Sequence, residues 1–336
     1  MNIAIVGATG NVGRKIIEIL EKKQINIENL FLLASKNSEG KKINYNGKEY
    51  TVTNLEKFDF SSVKIAFFAA GSGVAEKWAH VAAEKTIVID NSKYFRKDPD
   101  IPLIVPEVNS KKLSDVKNKN IIANANCSVI PVVVALKPLH DLYNINRIVA
   151  STYQSVSGAG KSAMDELLSQ TEDYFQNKEI DSKNFTKQIA FNAIPHIDSF
   201  LENGYTKEEQ KTTDEIKKIL DKKIKVTSTC VRIPVLVSHC ISANVEFNKK
   251  CDLDEIRKVL STSPGCKVID EHQDGGYITP VEAEDKFETF ISRIRLDESQ
   301  ENTINLWIVS DNLIKGAALN AVQIAEGLIK NDFYGK

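Results

Sequence analysis

Three side chains in this sequence stand where their neighbours suggest chemistry: Cys127, Arg232 and His239. Cys127 lies in Asn124-Ala125-Asn126-Cys127-Ser128, after the apolar Ile121-Ile122-Ala123 and before an apolar run over 129–136 with Pro131 near its start. That order predicts a buried strand, a tight turn and a helix whose first turn tolerates proline. A thiol in such a turn faces the positive end of the helix dipole, which favours the thiolate, the nucleophilic form. A cysteine met at random is more often a small buried apolar residue. The polar Asn-x-Asn-Cys-Ser setting and a glycine pattern at the chain's start favour the nucleophile. Arg232 interrupts the apolar run Cys230-Val231-Arg232-Ile233-Pro234-Val235-Leu236-Val237, which continues through Ser238 to His239. A buried guanidinium needs an anion and grips carboxylates with two parallel hydrogen bonds. An imidazole can serve as acid and base near neutral pH. A salt-bridged arginine and a satisfied core histidine remain the plainer readings of each alone. Their spacing of seven would put them on opposite faces of one straight strand, and Pro234 allows a break.

The glycine pattern is Gly7-Ala8-Thr9-Gly10-Asn11-Val12-Gly13, between a first apolar strand and a first helix. This is a G-x-x-G-x-x-G form of the dinucleotide fingerprint in its required context. Glycine lets the backbone approach a pyrophosphate, and the helix N-terminus attracts its charge. A structural glycine turn is the alternative. At the end of the second strand, where NAD sites place an acid for the ribose hydroxyl, stand Ser35-Lys36-Asn37-Ser38. One cation and three polar donors favour NADP(H) over NAD; an ordinary polar turn is the plainer alternative.

The elements that must hold these residues follow from periodicity. Apolar strands are expected over 3–6, 30–34, 63–70, 86–90, 103–105 and 121–123. Helices are expected over 11–23, with Val12, Ile16, Ile17 and Leu20 on one side, and over 74–84. Buried strands alternating with helices imply an α/β fold with a Rossmann-type, doubly wound parallel sheet. After about residue 141 the pattern changes. A strand over 147–155 leads into Val156-Ser157-Gly158-Ala159-Gly160, and a long helix follows. A Lys/Glu-rich stretch over 178–225 reads as surface helices and loops. Runs over 242–247, 289–296 and 303–308 alternate with period two and suggest a mostly antiparallel sheet in an α+β domain. Such a sheet often covers an active site or an oligomer interface. The expected division is 1–125 for the nucleotide domain and 126–312 for a catalytic and dimerisation domain, with a helix over 313–332 packing back on the first.

Length and composition agree. The 336 residues suggest two domains, and the formal net charge of -1 offers no basic surplus for nucleic acid. Acids alternate with the local lysine clusters, so these read as a solvated helix face. Five scattered cysteines, with no C-x-x-C pair and no histidine at zinc spacing, argue against a disulfide framework or a metal site. A reduced, cytoplasmic compartment is expected. No signal peptide is expected before the first strand, and no apolar stretch is long enough to span a bilayer.

Taken together, the motifs resemble those of the aspartate-β-semialdehyde dehydrogenase family, nearly end to end. The resemblance rests on the Gly7 to Gly13 pattern, Asp90-Asn91-Ser92 with Phe95-Arg96, Val105-Pro106-Glu107-Val108-Asn109 and the Cys127 turn. It continues through Tyr153-Gln154-Ser155-Val156-Ser157-Gly158-Ala159-Gly160, the Arg232 to His239 run and Asp311-Asn312-Leu313. It implies NADPH-dependent reduction of L-aspartyl-β-phosphate to L-aspartate-β-semialdehyde with release of phosphate. That step lies on the route to lysine, threonine, methionine and diaminopimelate. It implies that Cys127 forms a thioester, His239 moves protons at the tetrahedral intermediates and Gln154 orients the acyl group. It implies that Arg232 holds the substrate's α-carboxylate, with Glu208 also at the substrate. It places Arg96, Asn126 and Lys211 in a phosphate pocket; Glu208 and Lys211 at i, i+3 can share a helix face. By the same resemblance Thr9, Gly10, Asn11 and Val12 hold the pyrophosphate, Asn37 and Ser38 lie near the 2′-phosphate, and Ser157, Gly158 and Asn312 are nicotinamide-side contacts. A homo-oligomer, a dimer, is implied, with no nucleic-acid or membrane partner.

The sequence departs from the family pattern at three points. Ala125 replaces a proline before the nucleophile, Asn37 stands where many members carry arginine, and Ser238 stands where a glycine often precedes the histidine. The nearest rival is an N-acetyl-γ-glutamyl-phosphate reductase, whose family favours glycine directly before its cysteine, where Asn126 stands here. A non-catalytic NADP-binding homologue is a second rival, but Cys127, Gln154, Arg232 and His239 are all present.

Overall fold

The computed structural model describes residues 1–333, which form two compact units. One comprises Met1–Asn126 with the chain from Ala317 onward; the other is Cys127–Gly316. Among the described residues no helix is long and apolar enough to cross a membrane.

The first unit contains β1 (Asn2–Val6), β2 (Asn29–Ala34), β3 (Lys42–Tyr45), β4 (Lys48–Thr51), β5 (Thr53–Asn54), β6 (Ile65–Phe68), β7 (Ile87–Asp90), β8 (Leu103–Ile104) and β9 (Ile121–Asn124). All but β3 and β4 pair in parallel, in the order β5-β2-β1-β6-β7-β9-β8. The chain moves outward from β1 to β2 and β5, then returns to the other side of β1 with β6. That reversal opens the crevice in which doubly wound sheets bind ligands. Strands β6, β7 and β9 are buried at every position, as expected of parallel strands covered on both faces. The helix α1 (Asn11–Lys22) buries Gly13, Ile16, Ile17, Ile19 and Leu20. Val12, expected on that face, is only half-buried, because the close approach at Gly13 takes its place. A second helix, α2 (Ser72–Ala83), follows β6.

The last helix is shorter than the apolar pattern predicts. Ile314–Ala318 form a π-turn, and regular α-helix begins only at Leu319–Lys330. The helix from Leu319 packs on α1 and carries the Lys23–Glu326 ion pair at 2.9 Å. Asn320 donates to the Asn124 side chain at 2.6 Å, which fixes the end of β9.

The second unit starts with a helix, Val129–Tyr143, whose first ten residues after the N-cap include eight fully apolar positions in the core. A six-stranded mixed sheet follows: β10 (Ile145–Gln154), β11 (Lys225–Arg232), β12 (His239–Phe247), β13 (Cys266–Val268), β14 (Thr289–Leu296) and β15 (Thr303–Ser310). Its order is β11-β10-β12-β15-β14-β13. The inner three pairings are antiparallel, while β11 and β13 add parallel edges.

The hairpin of β3 and β4, which the sequence analysis did not single out, turns at Asn46-Gly47, both at positive φ (47° and 73°) as a primed turn requires. The charge-rich stretch over 178–225 is not simply a solvated surface. It contains the helix Lys207–Ile219, opened by a Thr206–Glu209 capping box, which buries Glu208, Glu209, Thr212 and Glu215.

Candidate active site and nucleotide cleft

Strand β10 is the ruler of the second unit's site. Gln154, its last residue, is level with Arg232 at the end of β11, and Tyr153 is level with Cys240 beside the start of β12. Arg232 and His239 therefore stand on two strands flanking β10, joined by the loop over 233–238. The one-strand geometry that would oppose them does not arise, because the chain breaks at Ile233-Pro234. Ser238 closes that loop at φ 75°, in the left-handed region that favours glycine.

Cys127 precedes the N-cap of the long helix Val129–Tyr143, so its thiol sits at the positive end of the dipole. Its Sγ lies 3.3 Å from His239 Nε2. His239 is fully buried, and Ser155 N–H donates to its Nδ1 at 3.0 Å. Burial, then the charge of Arg232, pulls the imidazole pKa down to about 3; Glu208 works in the opposite sense. The ring is therefore neutral at physiological pH.

Arg232 is 6 % exposed and donates from Nη1 to Ser155 O at 2.6 Å. Among the described residues no carboxylate lies within ion-pairing distance of it. Burial lowers its pKa, partly offset by Cys127, Glu208 and Cys230. A desolvated guanidinium without a protein carboxylate is a strong recognition element for an anionic group. Gln154 is buried, with Nε2 donating to Thr152 Oγ1 at 3.3 Å.

Two glycines keep this centre open. A Cβ on Gly158 would meet Arg232 Nη1 at 3.2 Å and His239 Nε2 at 3.3 Å. A Cβ on Gly316, inside the π-turn, would meet Cys127 Cβ at 3.0 Å. Such turns recur at functional sites, and here it lets backbone lie against the cysteine.

Glu208 and Lys211 share a face of the helix Lys207–Ile219 and pair at 2.5 Å. Asp198 makes a second ion pair with Lys211 at 3.0 Å. Burial lowers the Lys211 pKa, and the carboxylates of Glu208 and Asp198 outweigh it, so the value is raised. The remaining residues implied for a phosphate pocket lie in the first unit. There Arg96 donates to Asn124 O at 2.8 Å and Asn91 O at 2.9 Å, and Asn126 is buried.

Of the other cysteines, Cys230 and Cys240 are buried, and burial pushes each thiol up to about 12. They are poor nucleophiles at neutral pH. Sequence reasoning passed over Ser155, Asp198 and Gly316 as site residues. Ser155 lay inside a quoted motif; nothing in spacing marks the other two.

In the first unit, a cleft of about 670 Å³ opens at the sheet's reversal. Gly7, Thr9 and Gly10 line it, with Ser35, Lys36, Asn37 and Lys77. Gly7 has φ 84°, and a Cβ there would stand 2.6 Å from Ala69 O. A Cβ on Gly13 would strike Gly7 O at 2.2 Å, so α1 can pack this closely only with glycine. Asn11 and Val12 form the first turn of α1, and a helix N-terminus of this kind favours an anion. Lys36, Asn37 and Ser38 form one 3-10 turn, and Glu56, paired with Lys77 at 3.6 Å, is the acid on the lining. These residues fit a dinucleotide. Ser157 and Asn312 are buried in the second unit and hydrogen-bonded to each other.

Comparison with known proteins places these features in context. Residues 2–116 match the family described as semialdehyde dehydrogenase, NAD binding domain, and residues 136–315 match semialdehyde dehydrogenase, dimerisation domain. The chain is similar to the aspartate-semialdehyde dehydrogenase of Aquifex aeolicus, 50% identical over 98% of each chain. It is also similar to the crystal structure of aspartate semialdehyde dehydrogenase II complexed with ASA from Vibrio cholerae, at TM-score 0.96 and 47% identity over 98% of both chains. A probable aspartate-semialdehyde dehydrogenase from Pseudomonas aeruginosa matches at TM-score 0.94 and 30% identity, again over 98% of both.

Proposed function

Because this chain belongs to the aspartate-semialdehyde dehydrogenase family, we propose that it reduces L-aspartyl-β-phosphate to L-aspartate-β-semialdehyde through a thioester on Cys127. The thiolate of Cys127 attacks the acyl carbon, the acyl–oxygen bond breaks and inorganic phosphate leaves. NADP(H), when bound, supplies the hydride that takes the acyl group to the aldehyde level. Collapse of the tetrahedral thiohemiacetal expels the thiolate and releases the aldehyde, so Cys127 returns unchanged. The thiol proton of Cys127 passes to His239 Nε2, 3.3 Å from the sulfur, and the imidazolium so formed lends it to the tetrahedral oxyanion and takes it back. Gln154 orients the acyl group. Arg232 holds the α-carboxylate, with Glu208 at the substrate amine. Arg96, Asn126 and Lys211 receive the phosphate.

The observation that carries this reading is Cys127 in contact with a neutral imidazole, beside a buried guanidinium that makes no ion pair with a carboxylate among the described residues. Gly7, Thr9, Gly10, Asn11, Val12 and Gly13 hold the pyrophosphate. Lys36, Asn37 and Ser38 meet the 2′-phosphate, which selects NADP(H). Two copies of the chain form a homodimer through the second unit, which matches a dimerisation domain. The enzyme works in the cytoplasm, where its five free cysteines stay reduced. There it feeds the routes to lysine, threonine, methionine and diaminopimelate.

The test is phosphate-dependent oxidation of aspartate semialdehyde, compared with the N-acetylglutamate semialdehyde and with NADP⁺ against NAD⁺. The reading requires turnover of the aspartyl substrate with NADP⁺ preferred. Turnover of the acetylated aldehyde alone overturns the substrate assignment.

A further inference from the structure

Two carboxylates hold Lys211, and they differ in how firmly each is placed. Glu208 stands one turn earlier on the same helix, Lys207–Ile219, and its Oε2 pairs with Lys211 Nζ at 2.5 Å. Asp198 comes from the chain before that helix, and its Oδ2 pairs with the same ammonium at 3.0 Å. The backbone that carries Asp198 is pinned on both sides. Ile194 and Arg232 exchange main-chain hydrogen bonds at 2.9 and 2.8 Å, and Lys207 N–H donates to Ser199 O at 2.9 Å. Asp198 itself has φ 67°, in the left-handed region that aspartate and asparagine enter more readily than most residues. Its Oδ1 accepts Ser199 N–H at 2.9 Å. One oxygen therefore anchors the side chain while the other faces Lys211. Glu208 reaches the ammonium through one more methylene. The side chains of Lys211 and Glu208 are only 14% and 8% exposed, so charge here is weakly screened.

We propose that Asp198 is a positioning residue for the substrate's ammonium: as the fixed counter-ion of Lys211, it frees the Glu208 carboxylate to take that ammonium. The proposal rests on the reading of Glu208 at the amine and Lys211 at the phosphate. On that reading the substrate brings a cation to Glu208 and an anion to Lys211, so the pair between them must loosen as it binds. Without Asp198, loosening would strand a largely desolvated ammonium, and Glu208 would stay on Lys211 instead. With Asp198, two carboxylates meet one ammonium in the empty site, and the substrate's ammonium supplies the second cation. The segment from Ile194 to Asp198 also starts at the backbone of Arg232, so it links the group that grips the α-carboxylate to the groups at the amine and the phosphate.

The test is steady-state kinetics of phosphate-dependent oxidation of aspartate semialdehyde by Asp198→Asn. The amide oxygen still accepts Ser199 N–H and asparagine tolerates the same φ, so the change removes the charge on Lys211 and little else. KM for aspartate semialdehyde should rise about ten-fold, with kcat within about three-fold and no rise in KM for phosphate or NADP⁺. An aspartate that only supports the loop would move all of these together. In a Glu208→Gln background the same substitution should add less than about two-fold, because no carboxylate remains to be freed. A wild-type KM for aspartate semialdehyde in Asp198→Asn overturns the proposal. So does a joint rise in the KM values for phosphate and NADP⁺, or a further ten-fold rise in the Glu208→Gln background. Should Asp198→Asn not fold, Asp198→Gly suits the left-handed φ and deletes the carboxylate, with the same split expected. A wild-type enzyme that fails to oxidise aspartate semialdehyde removes the underlying reading instead, so the two failures are told apart.

Discussion

A buried neutral imidazole must make the second unit sensitive to acid in a way that one residue accounts for. In the unfolded chain His239 binds a proton near its ordinary value of about 6.5. In the folded unit it does so only near 3, because burial and the charge of Arg232 oppose the cation. Between those values the unfolded state holds more protons, so stability rises with pH. The contribution is fully present above the unfolded value and is lost as pH falls toward the folded one. Between about pH 7 and pH 5, the linkage relation assigns this one ring about 2 kcal/mol of lost stability. Any folded value below about 4 gives the same figure. The assay is native-state hydrogen exchange of the core amides of β10 and β12, read as protection factors at both pH values. Wild type should lose roughly thirty-fold in protection that His239→Asn does not lose. His140, also held low chiefly by burial, shifts both proteins equally and cancels in the comparison. Equal losses in the two proteins would refute the neutral buried ring.

Other perturbations separate recognition from architecture. Arg232→Leu should cost kcat/KM about 2–5 kcal/mol with cofactor affinity retained. The melting temperature should hold or rise, since a desolvated cation without a protein carboxylate is removed; an effect confined to cofactor affinity contradicts the role. Gly316→Ala should fold yet lower kcat about ten-fold, because its Cβ, 3.0 Å from Cys127 Cβ, shifts the nucleophile by a fraction of an ångström. Wild-type kcat in a folded Gly316→Ala enzyme, measured by steady-state kinetics, counts against that placement. Ser238→Gly should raise stability by about 1 kcal/mol in a thermal melt, relieving a left-handed serine whose Oγ has no partner. A lower melting temperature shows that the backbone there is unstrained.

The sequence carried the parallel sheet well, because a strand such as β6 is apolar at every position and cannot be mistaken for a half-exposed one. The Cys127 turn was readable for a similar reason: polar residues between two apolar runs leave little choice but a turn. Arg232 and His239 were harder. Their spacing along the chain says nothing of the loop that sends them to opposite sides of β10, and only Pro234 hinted at it. The helix Lys207–Ile219 misled by composition, since Glu208, Glu209 and Glu215 turn in and Lys211 pairs with Glu208 rather than facing solvent. Asn312 illustrates a different limit. Its motif marks it, but only three-dimensional hydrogen bonding shows its oxygen receiving the Ser238 amide.

The central claim is a covalent acyl group on one sulfur. Enzyme mixed with aspartate semialdehyde and NADP⁺ in the absence of phosphate, quenched in acid and digested, places the adduct by peptide mass spectrometry. The account predicts an aspartyl thioester on Cys127 and none in Cys127→Ala, which should bind NADPH but not turn over. An adduct on another residue, or turnover by Cys127→Ala, contradicts it.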